Sequence, residues 1–507
     1  MMLPPQGVSS QHSSQHSIDQ DSDDPPPLWR FAQCFGDKNE TGDLADGKGS
    51  LFLGDMISCL KFDPSGQFLA TGDRAGRVVL FERTHDKNEF ELRFLHEFQS
   101  HESEFDYLKS TDISERIGQI AWCPRVGPSL GLLTANEKSI RFWKLAETPS
   151  SMVLDDNRSM SKKLQNTDVV QIPLMLPKMI PKETAITARQ RFAYGPVHAY
   201  NINSLSPCPQ EPLFLSADDL RINLWHYDRR EEAFALADIK PERVENLYEV
   251  ITRAHFHSHL PHIYAYGTSR GCLRVGDMRM CSSLDRPLRN FDSRRASITS
   301  DPALRIGLFA EALASISDFA FHPRRERLFA TRDFLTIKLW DMANETMPVA
   351  IYPIHDYLRG RLGDLYESEA LFDRFDLDWS ANGGILTGSY GSLIKHFYQG
   401  TSSDSSHLAF RADRTIFRSM RKYNAALKSN SSSSSAALDN TNGVCERLFP
   451  SNQQSFVGFL GLQHPHDINL ERRIQHLSCH PTEAITAVAS LTNLFIFSAG
   501  KTRHQQH

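Results

Sequence analysis

Short runs of β-branched and aromatic residues, separated by Gly, Pro, Asn and Asp turns, cover the chain from about residue 28 to 498 with little 3.6-residue periodicity. That texture predicts strands. One unit recurs: an apolar residue with others three and five positions later, a turn, a short apolar run ending in small residues, a polar turn, and an alternating strand. Seven opening triplets fit: Ile57/Leu60/Phe62, Ile117/Ile120/Trp122, Ile202/Leu205/Pro207, Ile251/Ala254/Phe256, Ile316/Phe319/Phe321, Arg374/Leu377/Trp379 and Ile474/Leu477/Cys479. Their closing strands fall at 78–81, 140–143, 222–225, 273–276, 337–340, 393–397 and 494–497, three of them ending on Trp143, Trp225 and Trp340.

A unit of three short strands cannot bury both faces alone, so the units are expected to stand side by side as four-stranded blades around an axis. The predicted fold is all-β, a seven-bladed β-propeller over 28–498, and at this level the sequence resembles WD-repeat proteins. Spacing between units varies from about fifty to a hundred residues, which marks insertions at 82–111, 146–196, 280–311, 343–368 and 399–470. Function is expected there, because the blades are needed as scaffold. Residues 1–27, rich in Ser, Gln, His, Asp and Pro, read as a disordered tail, 499–507 as a C-terminal tail, and 401–442, with Ser431 to Ser435, as a low-complexity loop.

Composition narrows the function class. The 507 residues are 40% hydrophobic and carry 56 Lys+Arg against 61 Asp+Glu, a net charge of −5. Binding to nucleic acid through bulk positive charge is thereby disfavoured. No run of about 18 apolar residues occurs and the N-terminus is polar, so neither a membrane span nor a signal peptide is expected. The expected location is cytoplasmic, with the nucleus also open. Eight scattered Cys without a C-x-x-C pair fit reduced thiols better than disulfides or zinc.

Three strings invite a chemical reading. Gly267 to Gly271 matches the G-x-S-x-G of a nucleophile elbow, but it falls between two expected strands, where the first unit has Gly72 to Gly76; a hairpin turn is the simpler reading. His255, His257 and His259, with His262, lack a nearby Cys or carboxylate to complete a metal site and read as turn and surface residues. The run Arg411, Arg414, Arg418, Arg421, Lys422 and Lys428, against Asp413, is either a solvated loop or a nuclear-import or anionic-partner element. With no P-loop, dinucleotide fingerprint or H-E-x-x-H, nothing argues for an enzyme, and no cofactor or metal is expected.

Other strings are not generic to propellers: FQSHESEFDYLKS (98–110), SADDLRINLW (216–225), DMR (277–279), TRDF leading to LWD (331–334, 339–341), IHDYLRGRLGDLYE (354–367) and TGSY (387–390). With WRF at 29–31 and GDRAGRVVLFE at 72–82, they closely resemble the 55-kDa B-type regulatory subunits of protein phosphatase 2A, over about 28–398 and 470–498. The resemblance implies a propeller that is not itself a phosphatase. It implies joining of the helical-repeat scaffold subunit to the catalytic subunit, and recruitment of phosphoserine and phosphothreonine proteins with basic segments; neither nucleic acid nor membrane is implied as a partner.

By the same resemblance a hairpin arm at 147–173 grips the scaffold, with 169–174 as its return strand and Met152, Asp155, Asp156, Arg158, Lys162, Lys163, Val169 and Ile172 as contacts. Substrates meet Phe105, Asp106, Leu108, Lys109, Tyr200, Asp219, Leu247 and Val250, carboxylates attracting basic segments and apolar side chains anchoring them. Each has a plainer alternative. Asp219 stands six residues before Trp225, where WD repeats use an Asp to tie their own turn, and Asp218 beside it fits either role. Phe105 and Leu108 pack the insertion onto the blade edge in the plainer reading, and Tyr200 belongs to the core. Leu53, Ser103, residues 194–197 and Gly276 depart from the family pattern and mark a divergent member. A different class, a WD-repeat hub such as a ubiquitin-ligase substrate receptor, would have no need of the 98–110 and 354–367 strings.

Overall fold

The computed structural model describes residues 28–36, 53–84, 90–107, 109–125, 129–154, 178–195, 197–280, 287–296, 309–398, 407–412 and 469–500. Among them are seven four-stranded antiparallel sheets and one two-stranded hairpin. The innermost strands are Ile57–Phe62, Gln119–Trp122, Ser204–Pro207, Ile251–Phe256, Asp318–Phe321, Leu377–Trp379 and Leu477–Cys479, opening blades 1 to 7. Each lies against the next, and the seventh against the first, so the ring is closed. No described helix is long and apolar enough to cross a membrane.

The three-residue step inside each triplet has a local cause. In blade 1 the pairing slips between Ile57↔Asp73 and Cys59↔Gly72, and in blade 4 between Ile251↔Thr268 and Arg253↔Gly267. A β-bulge at the slip turns the strand by one residue, so Ile57, Leu60 and Phe62 share one core cluster and Ile251, Ala254 and Phe256 another.

Each blade has a fourth, outer strand, and five of these lie inside the segments read as insertions: Leu92–Gln99, Lys178–Tyr194, Arg289–Asp292, Ala350–Pro353 and His407–Arg411 in blades 1, 2, 4, 5 and 6. The region read as a low-complexity loop from 401 therefore contains a strand, and Arg411 pairs with Leu393 in blade 6. Residues 413–468, with the rest of the basic run, lie outside the described residues, as do the tails 1–27 and 501–507.

Blade 7 takes its outer strand from the other end of the chain: Leu28–Phe35 pairs antiparallel with Asn493–Gly500. Trp29 locks this strand in place. Its Nε1 donates to Nδ1 of His396 in blade 6 at 2.9 Å, and its ring stacks on Phe410 with centroids 5.5 Å apart.

Blade interiors are tied by buried polar groups. Trp225 Nε1 donates to Ser216 Oγ at 2.8 Å, Ser216 meets His198 Nε2 at 2.6 Å, and His198 Nδ1 meets Asp218 at 3.1 Å. Trp340 donates to Thr331 at 3.0 Å, and Trp143 to Ser100 and Thr134 at 3.1 Å each. Along the axis, Arg253 pairs with Asp376 at 3.2 Å, His476 with Asp376 at 3.0 Å and Lys61 with Asp378 at 3.3 Å, each joining different blades.

The G-x-S-x-G string is a hairpin turn. Gly271 has φ +80°, a Cβ there would meet the Ala314 carbonyl at 2.5 Å, and Ser269 Oγ accepts from Val250 N at 3.1 Å. His257 also serves a turn. Its Nδ1 accepts from the N–H groups of His259 and Leu260, and its Nε2 donates to Glu326 O of the next blade at 2.8 Å. His480 repeats this device, its Nε2 donating to Gly66 O of blade 1 at 3.1 Å. No cluster of metal-ligating side chains occurs among the described residues.

Gly276 has its own compensation. Opposite it stands Tyr264, whose ring carbon Cζ a Cβ at 276 would meet at 2.4 Å and whose hydroxyl donates to Leu236 O in blade 3 at 3.1 Å. The ring fills the room a larger residue would take.

Candidate functional site

Antiparallel order fixes which loops share an end of the ring. The turns between second and third strands lie with the connections between blades; the first turn of each blade and the turn between third and outer strands lie at the opposite end. The candidate substrate residues all sit on connections or second turns, and the arm is a third turn. The topology therefore puts the two candidate surfaces at opposite ends.

On the connection end, the link from blade 1 to blade 2 carries the small hairpin Glu104–Asp106 and Thr111–Ile113. Arg141 of blade 2 roots it, donating to Ser100 O at 2.7 Å and pairing with Glu104 at 3.1 Å. Phe105 is 47% exposed, so the reading that it packs onto the blade edge is corrected: its ring contacts Tyr107, which is 87% exposed, at 5.1 Å. Asp106 accepts from Lys109 N at 3.2 Å. Leu108 lies outside the described residues.

Lys109 and Lys138 both donate to the carbonyl of Ala199, at 3.1 and 3.0 Å, tying this insertion to the link between blades 2 and 3. Burial, then the neighbouring Lys109, lowers the proton affinity of Lys138. Tyr200, next along, is 44% exposed rather than core. Leu247 is exposed and Val250 half-buried on the following link, with Tyr248 exposed between them.

The turn-tying role falls to Asp218, not Asp219. Asp218 is buried and accepts from Leu220 N at 2.8 Å, Arg221 N at 2.7 Å and His198. Burial pushes its carboxyl up, but these hydrogen bonds outweigh burial and hold the pKa below the ordinary range. Asp219 is half-buried, and its backbone carbonyl reaches the next blade, accepting from Ile251 N at 2.7 Å. Burial raises its pKa; the field of Arg374 and the nearby Asn203 amide only partly oppose this, and no ion pair to it forms among the described residues. Asp219 is thus a carboxylate in want of a cation. Lys109, Tyr200, Lys138, Asp219 and Val250 form one neighbourhood, while Phe105 stands out on its hairpin.

At the opposite end, strands Ile140–Leu154 and Lys178–Tyr194 run out of blade 2 as one hairpin. The neighbouring strand stops pairing at Leu145, yet the two continue to Leu154↔Lys178. At about 3.3 Å per residue those nine further residues project roughly 30 Å. A two-stranded ribbon without a third strand is marginal in water, so it is suited to a partner that covers it. The described return strand begins at Lys178. Residues 169–174, with Asp155, Asp156, Arg158, Lys162, Lys163, Val169 and Ile172, lie outside the described residues, and Met152 is placed only by its pairing with Ile180.

Sequence reasoning passed over Tyr107, Tyr248 and Lys138. The two tyrosines are exposed aromatics within or beside stretches already singled out, and that polarity break was a usable signal; Lys138 in an Asn-Glu-Lys turn had none.

Residues 50–82 match the family described as WD domain, G-beta repeat. The chain is 37% identical over 485 residues to the B-type regulatory subunit of protein phosphatase PP2A from Schizosaccharomyces pombe, covering 94% of this chain and 99% of that one. It is 37% identical over 455 residues to the serine/threonine-protein phosphatase 2A regulatory subunit sur-6 of Caenorhabditis elegans, covering 88% and 86%. The gamma isoform of the human 55 kDa B-type regulatory subunit is 36% identical over 459 residues, covering 87% and 93%. The seven closed blades and this similarity over nearly the whole length agree, and the chain belongs to the family of 55-kDa B-type regulatory subunits of protein phosphatase 2A: a regulatory subunit, not an enzyme.

Proposed function

We propose that this chain joins the scaffold and catalytic subunits of protein phosphatase 2A and recruits phosphoproteins carrying basic segments. The observation that carries the reading is a pair of candidate surfaces at opposite ends of one closed ring: a hairpin that no third described strand extends, and a desolvated Asp219 with no ion pair among the described residues. The arm takes the scaffold. The exposed Phe105, Tyr107, Tyr200, Leu247 and Tyr248 around the Asp219 neighbourhood take the substrate, its Lys or Arg supplying the missing cation. The ring's place of action in this reading is the cytoplasm.

Reconstitution with purified scaffold and catalytic subunits tests this. Deleting 152–169 should abolish co-purification while the ring stays folded. Asp219→Lys should keep assembly and activity on a small aryl phosphate while slowing dephosphorylation of basic-flanked phosphopeptides at least tenfold. Wild-type assembly without the arm, or unchanged peptide rates in the Asp219 variant, would defeat the respective half of the proposal.

A further inference from the structure

The connection end also carries a cluster of the opposite sign near the axis. Arg74 lies in the second turn of blade 1, its N–H donating to Met56 O at 3.0 Å, and Arg116 shortly precedes the inner strand of blade 2. The two are brought side by side by the bond from Ile117 N to Asp73 O, 3.1 Å. Arg473, at the start of blade 7, completes the group.

The arginines around the mouth differ in how their charge is used. Arg473 is neutralised by Asp373, 2.6 Å from both carboxylate oxygens. Arg77 is bound by Asp73 and Asp55, and Arg253 by Asp376. Arg374 lies in the field of Asp219 and donates to Thr252 O at 3.4 Å. For Arg74, half-buried, and Arg116, exposed, no side-chain hydrogen bond or ion pair exists among the described residues. Burial, then the repulsive fields of Arg116 and Arg473, lowers the proton affinity of Arg74. In a chain of net charge −5 this is a local arrangement rather than a reflection of overall charge.

We propose that Arg74 and Arg116 form a binding site for a phosphate dianion carried by a docking phosphoprotein. Two planar guanidinium forks without carboxylate partners match the oxygens of a phosphate, which supplies two charges from one group where a side-chain carboxylate supplies one. The site shares its face with Asp219, so the mouth is bipolar: a cation of the docking segment goes to Asp219 and a phosphate to the arginine pair. This deepens the recruitment reading and rests on it for the nature of the partner; binding of the phosphate is a property of the chain alone.

The test uses the purified full chain without the other subunits. Peptides carrying one Lys-Arg-Lys segment and one phosphoserine, at graded glycine spacings, are compared with unphosphorylated twins by fluorescence anisotropy, with inorganic pyrophosphate as competitor. The phosphorylated form should bind at least tenfold tighter at the best spacing. Arg74→Ala with Arg116→Ala should erase that preference, and the double Lys variant should keep part of it. Asp219→Asn should weaken both peptides and leave their ratio unchanged, so failure of the recruitment reading and failure of this one are separable. The melting temperature of the Ala variant should be equal to or above wild type, because repulsion is removed; a fall would mark a structural role. Equal binding of the twins, a preference that survives in the Ala variant, or binding of pyrophosphate without any preference between the peptides would overturn the proposal.

Discussion

His198 Nδ1 stands 3.1 Å from the carboxylate of Asp218, and this contact decides the role of the neighbouring acid. Because Asp218 holds both the turn and the histidine, the side chain of Asp219 is spared that duty. The two adjacent acids are therefore expected to separate cleanly on substitution.

Asp218→Ala removes acceptors from two backbone N–H groups and leaves Nδ1 of the buried His198 without its partner. A loss of about 2–3 kcal/mol is expected, against about 0.5 kcal/mol or less for Asp219→Asn. Urea unfolding of both variants measures it, and equal losses would return Asp219 to a turn-tying role.

Acid should loosen the ring through buried histidines. Burial and the field of Arg141 push His101 down to about 3, burial alone does the same for His396, and burial with Arg332 and Lys395 holds His355 well below the ordinary value. With folded values depressed, the unfolded chain binds more protons once the pH falls below about 6.5. Stability is therefore present above that value and lost as the pH falls, for His101 and His396 by about 1.4 kcal/mol per unit each down to about 3, with His355 adding in the same direction. His396 accepts the Trp29 N–H on Nδ1, so its protonation also removes the acceptor that holds the closing strand. Urea midpoints should drop as the pH is taken from about 7 to about 5; a flat profile would refute the assignment of neutral buried rings.

Gly276→Val should cost about 1–3 kcal/mol by forcing the Tyr264 ring off Leu236 O. Combining it with Tyr264→Ala should recover part of the loss, whereas additive losses in thermal unfolding would show that the two sites do not share one volume.

The parts of the fold visible in sequence were those with a buried face. Inner strands showed through because Ile57, Leu60 and Phe62 enter one cluster, and the bulge explains a spacing that neither a helix nor a plain strand gives. Several outer strands fell in segments read as insertions because solvent reaches them: Phe94 is 58% and Ile351 44% exposed, and no alternation of apolar residues survives there. The Asp218 assignment needed coordinates, since adjacent acids in a turn differ by which way each side chain points. Arg74 and Arg116 stand 42 positions apart, 116 − 74, and only the docking of blade 2 on blade 1 brings them together.

Trp29→Ala should cost about 3–5 kcal/mol although the residue lies at the margin of the repeat pattern, because a large buried ring and its bond to His396 are both lost. Limited proteolysis should then cut first within 28–35, and a native digestion pattern would mean that the strand is not what keeps the ring shut.

The pairing of Phe35 with Leu494 joins positions 459 apart, 494 − 35. A ribosome adding about 5–20 residues per second needs roughly 20–90 s to cover that interval. During it the Leu28–Phe35 strand has been made and its partner has not, so its hydrogen-bonding edge is open to any other strand in the cell. Blades 1 to 6 can form as they emerge, but the ring closes only after the last strand is released. Its assembly is timed by synthesis, and the first strand of the chain waits unpaired until the last one is made.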